Sequence, residues 1–314
     1  MKNFAITGVA GYIAPRHLTA VKSLGHNLVA ALDPHDSVGI LDRFSFDVSF
    51  FKDFERFDRH LEKLRRLDKD SQIDYLSICS PNHLHDAHIR LALRLHSDAI
   101  CEKPLVLKPS NLDTLEELEQ EYGKKVYNIL QLRVHPAIVA LKEKYENFKS
   151  DKKHDIILTY ITSRGLWYKY SWKGDEEKSG GVVTNIGVHF FDMLMWIFGS
   201  PQNSEVYVRD ENRASGYLEL PSANVRWYLS IDKNDLPQSA VLANKPTYRL
   251  ISVDGEEIEF TDGFTDLHTE VYRRIIEGNG YGIPHARPSI ETVYRIRQEK
   301  ISNNKEFYHP LLVR

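Results

Sequence analysis

The sequence predicts an α/β protein: a doubly wound parallel sheet first, then an α+β region whose open sheet is mainly antiparallel. Three observations predict it. Short apolar runs alternate with segments of helical period through about residue 130. Beyond that point, alternating runs punctuated by turn residues take over. At 314 residues the chain is also long enough for two ordinary domains, each with its own core. Strands separated by single helices need parallel crossovers, which decides the class of the first region.

The elements follow in order. NFAIT (Asn3–Thr7) reads as a strand, and a helix runs from about Ala14 to Ser23, with Gly25 placed to end it. NLVAALD (Asn27–Asp33) is the second strand. FERFDRHLEKLRRL (Phe54–Leu67) has apolar residues at Phe54, Phe57, Leu61, Leu64 and Leu67, a helical period. IDYLSIC (Ile73–Cys79), HLHDAHIRLALRL (His83–Leu95) and SDAIC (Ser97–Cys101) give strand, helix and strand. LDTLEELEQEY (Leu112–Tyr122) is a helix, with Ser110 or Asn111 as its cap and Gly123 beyond its end. VYNILQL (Val126–Leu132) gives a further strand. The domain boundary is placed after Gly123, so that residues 1–123 bind nucleotide and residues 124–314 bind substrate and oligomerise. In the second region a helix is expected near Pro136–Phe148. DIILTYIT, GYLELPS, NVRWYLSID, TYRLISVDG and EEIEFTDG read as strands, with a hairpin signal at Asp254–Gly255. Further helices are expected around Gly187–Phe198, Asp266–Glu277 and Ser289–Ser302.

Composition bounds the function. The chain is 42% hydrophobic and 27% charged, with a formal net charge of −3, so no global basic field points to nucleic acid. An anionic ligand would need local cations instead. The two cysteines, Cys79 and Cys101, sit in apolar runs as small buried hydrophobes and suit a reducing cytoplasm. No secretory leader is expected. IGVHFFDMLMWIFG, which contains His189 and Asp192, is read as too short and too polar to cross a membrane.

The glycine turn after the first strand has the spacing G-x-x-G-x-x-A, at Gly8, Gly11 and Ala14. Gly8 allows the tight exit from the strand, Gly11 lets backbone amides approach a phosphate, and Ala14 lets the next helix pack closely. Arg16 or His17 is placed to reach back toward that phosphate. Asp33 ends the second strand where a carboxylate accepts from ribose hydroxyls and repels a 2′-phosphate, which favours NAD. These features predict a Rossmann-type domain. The same turn would also open an extended short-chain dehydrogenase or epimerase, and Tyr145 with Lys149 meets that group's Y-x-x-x-K spacing. The flanking LKEKYENFKS reads as an exposed charged face, and no serine in a preceding strand completes the set.

ICEKPLV decides between them. Glu102, Lys103 and Pro104 follow a strand directly, at the sheet edge where ligands bind. Together with CSPNHLH (Cys79–His85) and GGVVTNIGVHFFD (Gly180–Asp192), they resemble the Gfo/Idh/MocA oxidoreductases along the whole chain. A strand-end lysine can donate a hydrogen bond to a substrate hydroxyl and stabilise a developing alkoxide. A lone histidine in an apolar helix is ordinarily a core residue. His189, however, follows a glycine-rich approach to a helix N-terminus, where a neutral imidazole can accept a proton.

The resemblance implies that Lys103 and His189 are the catalytic pair. It also implies that NAD is held by Gly8, Gly11, Tyr12, Ile13, Ala14, Asp33, Ser80, Pro81, Asn82, His85, Glu102, Lys103 and Gln131, with the Lys103–Pro104 peptide cis. Asp192 is expected to anchor its helix. The family's D-x-G-x-H-x-x-D has Asn185 in its first position here, and an amide cannot act as a base. Asn185 is therefore read as a substrate contact. His83, His85 and His88 are close in sequence, but hydride transfer needs no metal and none is expected.

RGLWYKYSWKGDEEKSGG (Arg164–Gly181) reads as a loop of cations and aromatics suited to a carboxylate or phosphate beside sugar and base rings. Substrate contacts are assigned to Lys103, Arg164, Tyr168, Lys173, Ser179, Asn185, His189 and Arg287. The resemblance is strongest to members that oxidise a UDP-linked N-acetylglucosaminuronate at C3 for surface-polysaccharide (O-antigen) synthesis, some of which use 2-oxoglutarate to reoxidise NAD. It implies a cytoplasmic homotetramer with no nucleic-acid or membrane partner. Another sugar or polyol dehydrogenase of the same superfamily, or a non-catalytic NAD-binding sensor, are the alternatives.

Overall fold

The structure, a computed structural model, describes residues 1–146, 152–258 and 266–313. They divide into two compact units: Met1–Gln131 with Asp266–Arg287, and Leu132–Thr265 with Pro288–Arg314.

The first unit is built on six parallel strands in the order β3-β2-β1-β4-β5-β6. These are β1 (Asn3–Thr7), β2 (Asn27–Leu32), β3 (Ser49–Phe51), β4 (Tyr75–Ile78), β5 (Asp98–Cys101) and β6 (Val126–Asn128). Helices α1 (Ala14–Ser23), α2 (Phe54–Leu67), α3 (His85–Arg94) and α4 (Pro109–Tyr122) make the crossovers. The strand order reverses at β1/β4, the topological switch point of a dinucleotide fold. The central strands are continuous apolar runs because helices cover both faces of such a sheet; Phe4, Ile6, Leu76, Ile78 and Ile100 are at most 1% exposed. β3 is a half-buried strand too short to show a period in the sequence.

The unit's limits correct the sequence reading. Gly123 does end α4, with φ +62°, as expected. The chain then returns for one more parallel strand, β6, so the sheet closes beyond residue 123. A segment far down the chain also belongs to this unit: α10 (Leu267–Ile276) packs on α1. The next helix, α11 (Ile283–Gln298), starts six residues before the expected Ser289, and the boundary between the units falls inside it, before Pro288. Pro284 is tolerated because the first turn needs no N–H.

The second unit holds α5 (Pro136–Glu146) and a six-stranded sheet ordered β12-β11-β7-β10-β9-β8. Its strands are β7 (His154–Thr162), β8 (Asn203–Arg209), β9 (Arg213–Glu219), β10 (Ala223–Ser230), β11 (Thr247–Val253) and β12 (Glu256–Glu257). Every pairing is antiparallel except β7 with β10. β8 was not distinguished in the sequence. The rest of EEIEFTDG, beyond residue 258, lies outside the described residues, as does Lys149.

The segment read as a loop, 164–181, is largely helical: α6 (Leu166–Tyr170), a 3-10 turn at Trp172–Gly174, and α7 (Glu176–Ser179). Side-chain caps explain this. Ser171 Oγ accepts from Lys173 N, and Asp175 Oδ1 accepts from Glu177 N at 3.0 Å. Beyond α7, a π-helical turn (Val183–Gly187) runs into α8 (Val188–Phe198). Because α7 and this turn extend it, the helical run Glu176–Phe198 is long and apolar enough by composition to cross a membrane, with mean hydropathy 1.4. The sequence reading had judged it too short. It is a core helix all the same, since 78% of that window is buried. α9 (Gln238–Leu242) is a short exposed helix before β11.

Candidate functional site

In the first unit, the glycine turn is fixed by contact with the end of β4. Gly8 has φ +76°, and a Cβ there would lie 2.5 Å from Cys79 C and 2.6 Å from Ser80 N, so only glycine fits. A Cβ on Gly11 would meet Gly8 O at 3.0 Å. The turn is closed by Gly11 N to Gly8 O and Ala14 N to Gly11 O. Asp33 is buried, and its carboxylate accepts from Ala10 N and His35 N, both at 2.9 Å, so it braces the turn. α1 follows the turn from its N-cap Ile13, with no side-chain cap and no acid in its first turn, so the positive end of the helix dipole meets no negative side chain of its own there. Gln131 Oε1 is buried without a hydrogen-bond partner. A cradle that a Cβ would fill and an orphaned buried acceptor both fit a bound dinucleotide. Tyr12 is 91% exposed and Ile13 half-buried, so both belong to the turn by position.

His17 corrects an expectation. It is fully buried and turned inward, with Nδ1 2.7 Å from Tyr272 OH and Nε2 3.0 Å from Glu102 Oε1, so it does not reach toward a phosphate. Arg16, its neighbour, is exposed.

The E-K-P turn is gripped from three strands or helices. Glu102 N donates to Ile78 O on β4, and Asn128 Nδ2 on β6 donates to Cys101 O at 2.9 Å and Glu102 O at 3.2 Å. Pro104 O lies 2.7 Å from His85 Nδ1, while His85 Nε2 lies 2.9 Å from Ser80 O. His85 thus ties the Ser80–Pro81–Asn82 turn to the E-K-P turn, both at the strand ends where ligands bind in such sheets. The Lys103–Pro104 peptide is cis. Burial holds His85 below the usual histidine range against the pull of its two carbonyls. Burial also pushes the Cys79 and Cys101 thiols well up, leaving them inert hydrophobes. His88 points elsewhere, its Nδ1 2.9 Å from Ser80 Oγ and 3.1 Å from Thr7 Oγ1 while its ring stacks on Phe54. Among the described residues, the group compact enough for a metal ion is instead His17, Glu102 and His268, all buried. Arg287 is engaged with α4, at 2.8 Å from Asp113 and 2.9 Å from Glu116.

In the second unit, the π-helical turn carries Asn185, whose Nδ2 donates to Tyr168 OH at 2.6 Å. Two residues assigned to substrate are therefore in contact, and π-turns commonly mark functional sites. Tyr168 is 3% exposed, and burial raises its phenol above the usual range while Arg164 and Asn185 act against it. Lys173 sits over the Trp172 ring at 4.4 Å and the Trp167 ring at 5.8 Å. Lys169 pairs with Glu211 and Lys178 with Asp175, so those two charges are partly spent. Ser179 is fully buried, its hydroxyl donating to Asp175 O and accepting from Gly181 N. His189 lies in the first turn of α8 against Phe190 (4.2 Å) and Tyr160 (6.2 Å).

Asp192, one turn on, accepts two bonds from Arg133: Nε at 2.9 Å and Nη2 at 2.7 Å, both side chains at most 8% exposed. Arg133 escaped the sequence reading. The only signal for it was a charged residue inside the apolar run VYNILQLRV.

Comparison with known proteins gives two matches of family models. One described as an oxidoreductase family, NAD-binding Rossmann fold, matches residues 2–129; its companion, the family's C-terminal alpha/beta domain, matches residues 155–301. Glucose-6-phosphate 3-dehydrogenase of Bacillus subtilis is 25% identical over 205 residues, covering 64% of this chain and 55% of that protein. D-glucoside 3-dehydrogenase of Escherichia coli is 26% identical over 41% of this chain and 36% of its own length. The chain thus spans about half, or less, of the curated relatives it matches. The WlbA (WbpB) dehydrogenase of Thermus thermophilus, solved with NAD and α-ketoglutarate, is 51% identical over 99% of both chains, with a TM-score of 0.95. The same enzyme solved with NAD and UDP-GlcNAcA is 50% identical, again over 99% of both chains, with a TM-score of 0.94.

Proposed function

The chain belongs to the Gfo/Idh/MocA oxidoreductase family, and from that premise we propose that it oxidises the C3 hydroxyl of UDP-N-acetyl-2-amino-2-deoxy-D-glucuronate to the 3-keto sugar. The observation that carries this reading is the near-complete, 50% identical match to a dehydrogenase solved with NAD and UDP-GlcNAcA. The C3 position is also the one named for the sugar dehydrogenases among the curated relatives.

NAD, when bound, supplies the hydride acceptor. The glycine turn and the positive end of the α1 dipole would hold its pyrophosphate and Asp33 its ribose, with Gln131 Oε1, Ser80, Pro81, Asn82 and His85 at the strand ends. Lys103 donates a hydrogen bond to the C3 oxygen and stabilises negative charge there as the C–H bond breaks. His189 accepts the hydroxyl proton through its neutral ring. Asn185, which stands where the family carries an aspartate, adds no second base and binds substrate with Tyr168. Arg164 and Lys173 take the uronate and diphosphate, with Trp167 and Trp172 for the rings. Ser179 and Arg287 are the remaining proposed substrate contacts.

The surrounding biology is part of the same proposal. A 3-keto UDP-sugar feeds an aminotransferase in surface-polysaccharide (O-antigen) synthesis, in the cytoplasm. 2-Oxoglutarate reoxidises the cofactor, consistent with the α-ketoglutarate complex of the Thermus enzyme. The open sheet face of the second unit assembles the chain into a homotetramer.

The test is direct. Purified protein with NAD and the UDP-uronate should raise absorbance at 340 nm, and added 2-oxoglutarate should give multiple turnovers without net NADH. Lys103→Ala and His189→Ala should each lower kcat by about 10²- to 10⁴-fold. Turnover of inositol or glucose 6-phosphate, but not of the nucleotide sugar, would sink the substrate reading.

A further inference from the structure

The buried side chains behind the E-K-P turn form one directional chain of hydrogen bonds. Glu102 sits at the end of β5 with one oxygen, Oε1, 3.0 Å from His17 Nε2 on α1 and 2.9 Å from His268 Nε2 on α10. A carboxylate can only accept, so both Nε2 atoms carry protons. Burial holds His17 below the usual histidine range, which leaves its ring neutral with Nδ1 as acceptor. His17 Nδ1 then accepts from Tyr272 OH at 2.7 Å, and the tyrosine oxygen accepts from Ser77 Oγ at 2.6 Å on β4. Every proton in the chain points toward Glu102.

The spacings match N–H···O bonds. Burial acts to raise the Glu102 carboxyl, but the two imidazole N–H bonds outweigh it and hold the group well below the usual carboxylate range. Its other oxygen, Oε2, accepts from the Lys103 backbone N–H at 3.2 Å.

We propose that Glu102, His17 and His268 are positioning residues for Lys103: the two imidazoles lock one carboxylate oxygen, and the other oxygen fixes the Lys103 peptide and hence the root of its side chain. The device spans the molecule in sequence, because His268 stands 166 positions beyond Glu102 and α10 is what brings it back. The proposal rests on the role given to Lys103 above.

Glu102→Gln is the decisive substitution. Whichever way its amide turns, it presents a donor either to the two imidazoles or to the Lys103 N–H. His268→Gln keeps an N–H close to the position of Nε2, and His268→Leu removes it at similar size. The expected result is a kcat at least 30-fold lower for Glu102→Gln and about 10-fold lower for His268→Leu, with His268→Gln within threefold of wild type. KM for the sugar nucleotide should stay within threefold throughout, and NAD affinity within threefold in the His268 variants. The deuterium isotope effect on kcat, with substrate deuterated at C3, should rise in the two impaired variants, because hydride transfer becomes the slow step.

Crystal structures supply an arm that needs no turnover: the Lys103 peptide should turn in Glu102→Gln and stay in place in His268→Gln. A network that merely holds the fold would lower Tm and folded yield and leave kcat per bound NAD and the isotope effect unchanged; that result overturns the proposal. A wild type inert toward the UDP-uronate overturns the substrate reading alone, and the crystal structures then decide the network.

Discussion

Three buried histidines in the nucleotide unit give the protein a common response to acid. His88 is lowered to about 4 by burial, with smaller contributions from His85 and His83, against an ordinary value of 6.5. Burial lowers His17 and His85 as well. The unfolded chain takes up these protons as pH falls through 6.5, whereas the folded protein resists until lower pH. Stability is therefore complete above about pH 6.5 and is lost progressively below it. At pH 5, His88 alone accounts for a loss of about 2 kcal/mol. Glu102, also lowered, extends the loss below the carboxylate range, because protonating it discards both imidazole bonds. Urea midpoints at pH 7.5 and pH 5 check this, and equal midpoints would refute it. His88→Asn, which keeps an acceptor for Thr7 and Ser80, should flatten part of the slope. At this scale the sequence was partly legible. The strand-end places of Lys103 and Asp33 could be read from the alternation, whereas the partners of His17 could not, since the bonds that hold it come from positions 85 and 255 residues away.

Helix α8 shows the same limit one level up. Its apolar face and glycine-rich approach made it visible, and Asp192 was correctly expected to anchor it. What the period could not reveal is that the anchor is Arg133, which also lies 5.7 Å from the Trp196 ring. The pair is buried on both sides, so removing one member strands the other charge in a dry interior. Asp192→Asn or Arg133→Met alone should cost about 3–5 kcal/mol in urea denaturation, and the joint replacement Arg133→Met with Asp192→Leu should recover most of it. Near-additive losses in the double variant would contradict this account. The 164–181 segment shows the opposite failure. Charges and glycines hid short helices whose caps, Ser171 and Asp175, are local and readable, but whose length is below any period.

The doubly wound sheet and the mainly antiparallel sheet were both legible from alternation alone, because burial on two faces and on one leave different sequence patterns. The division of the chain was not, since no local signal says that Asp266–Arg287 rejoins the first unit. That return makes a prediction. Residues 1–131 expressed alone lack His268 and Tyr272, expose the face of α1 that α10 covers, and should be insoluble or fail to bind NAD. The same residues joined by a short flexible linker to 266–287 should fold and bind NAD, as read by calorimetry. The consequence reaches into biosynthesis. A ribosome emits the glycine turn and Lys103 early, yet the helix that orders them emerges only after all of Leu132–Thr265 has been translated. If α10 positions Lys103 as proposed, the nascent chain carries an unfinished nucleotide unit until Asp266–Arg287 emerges.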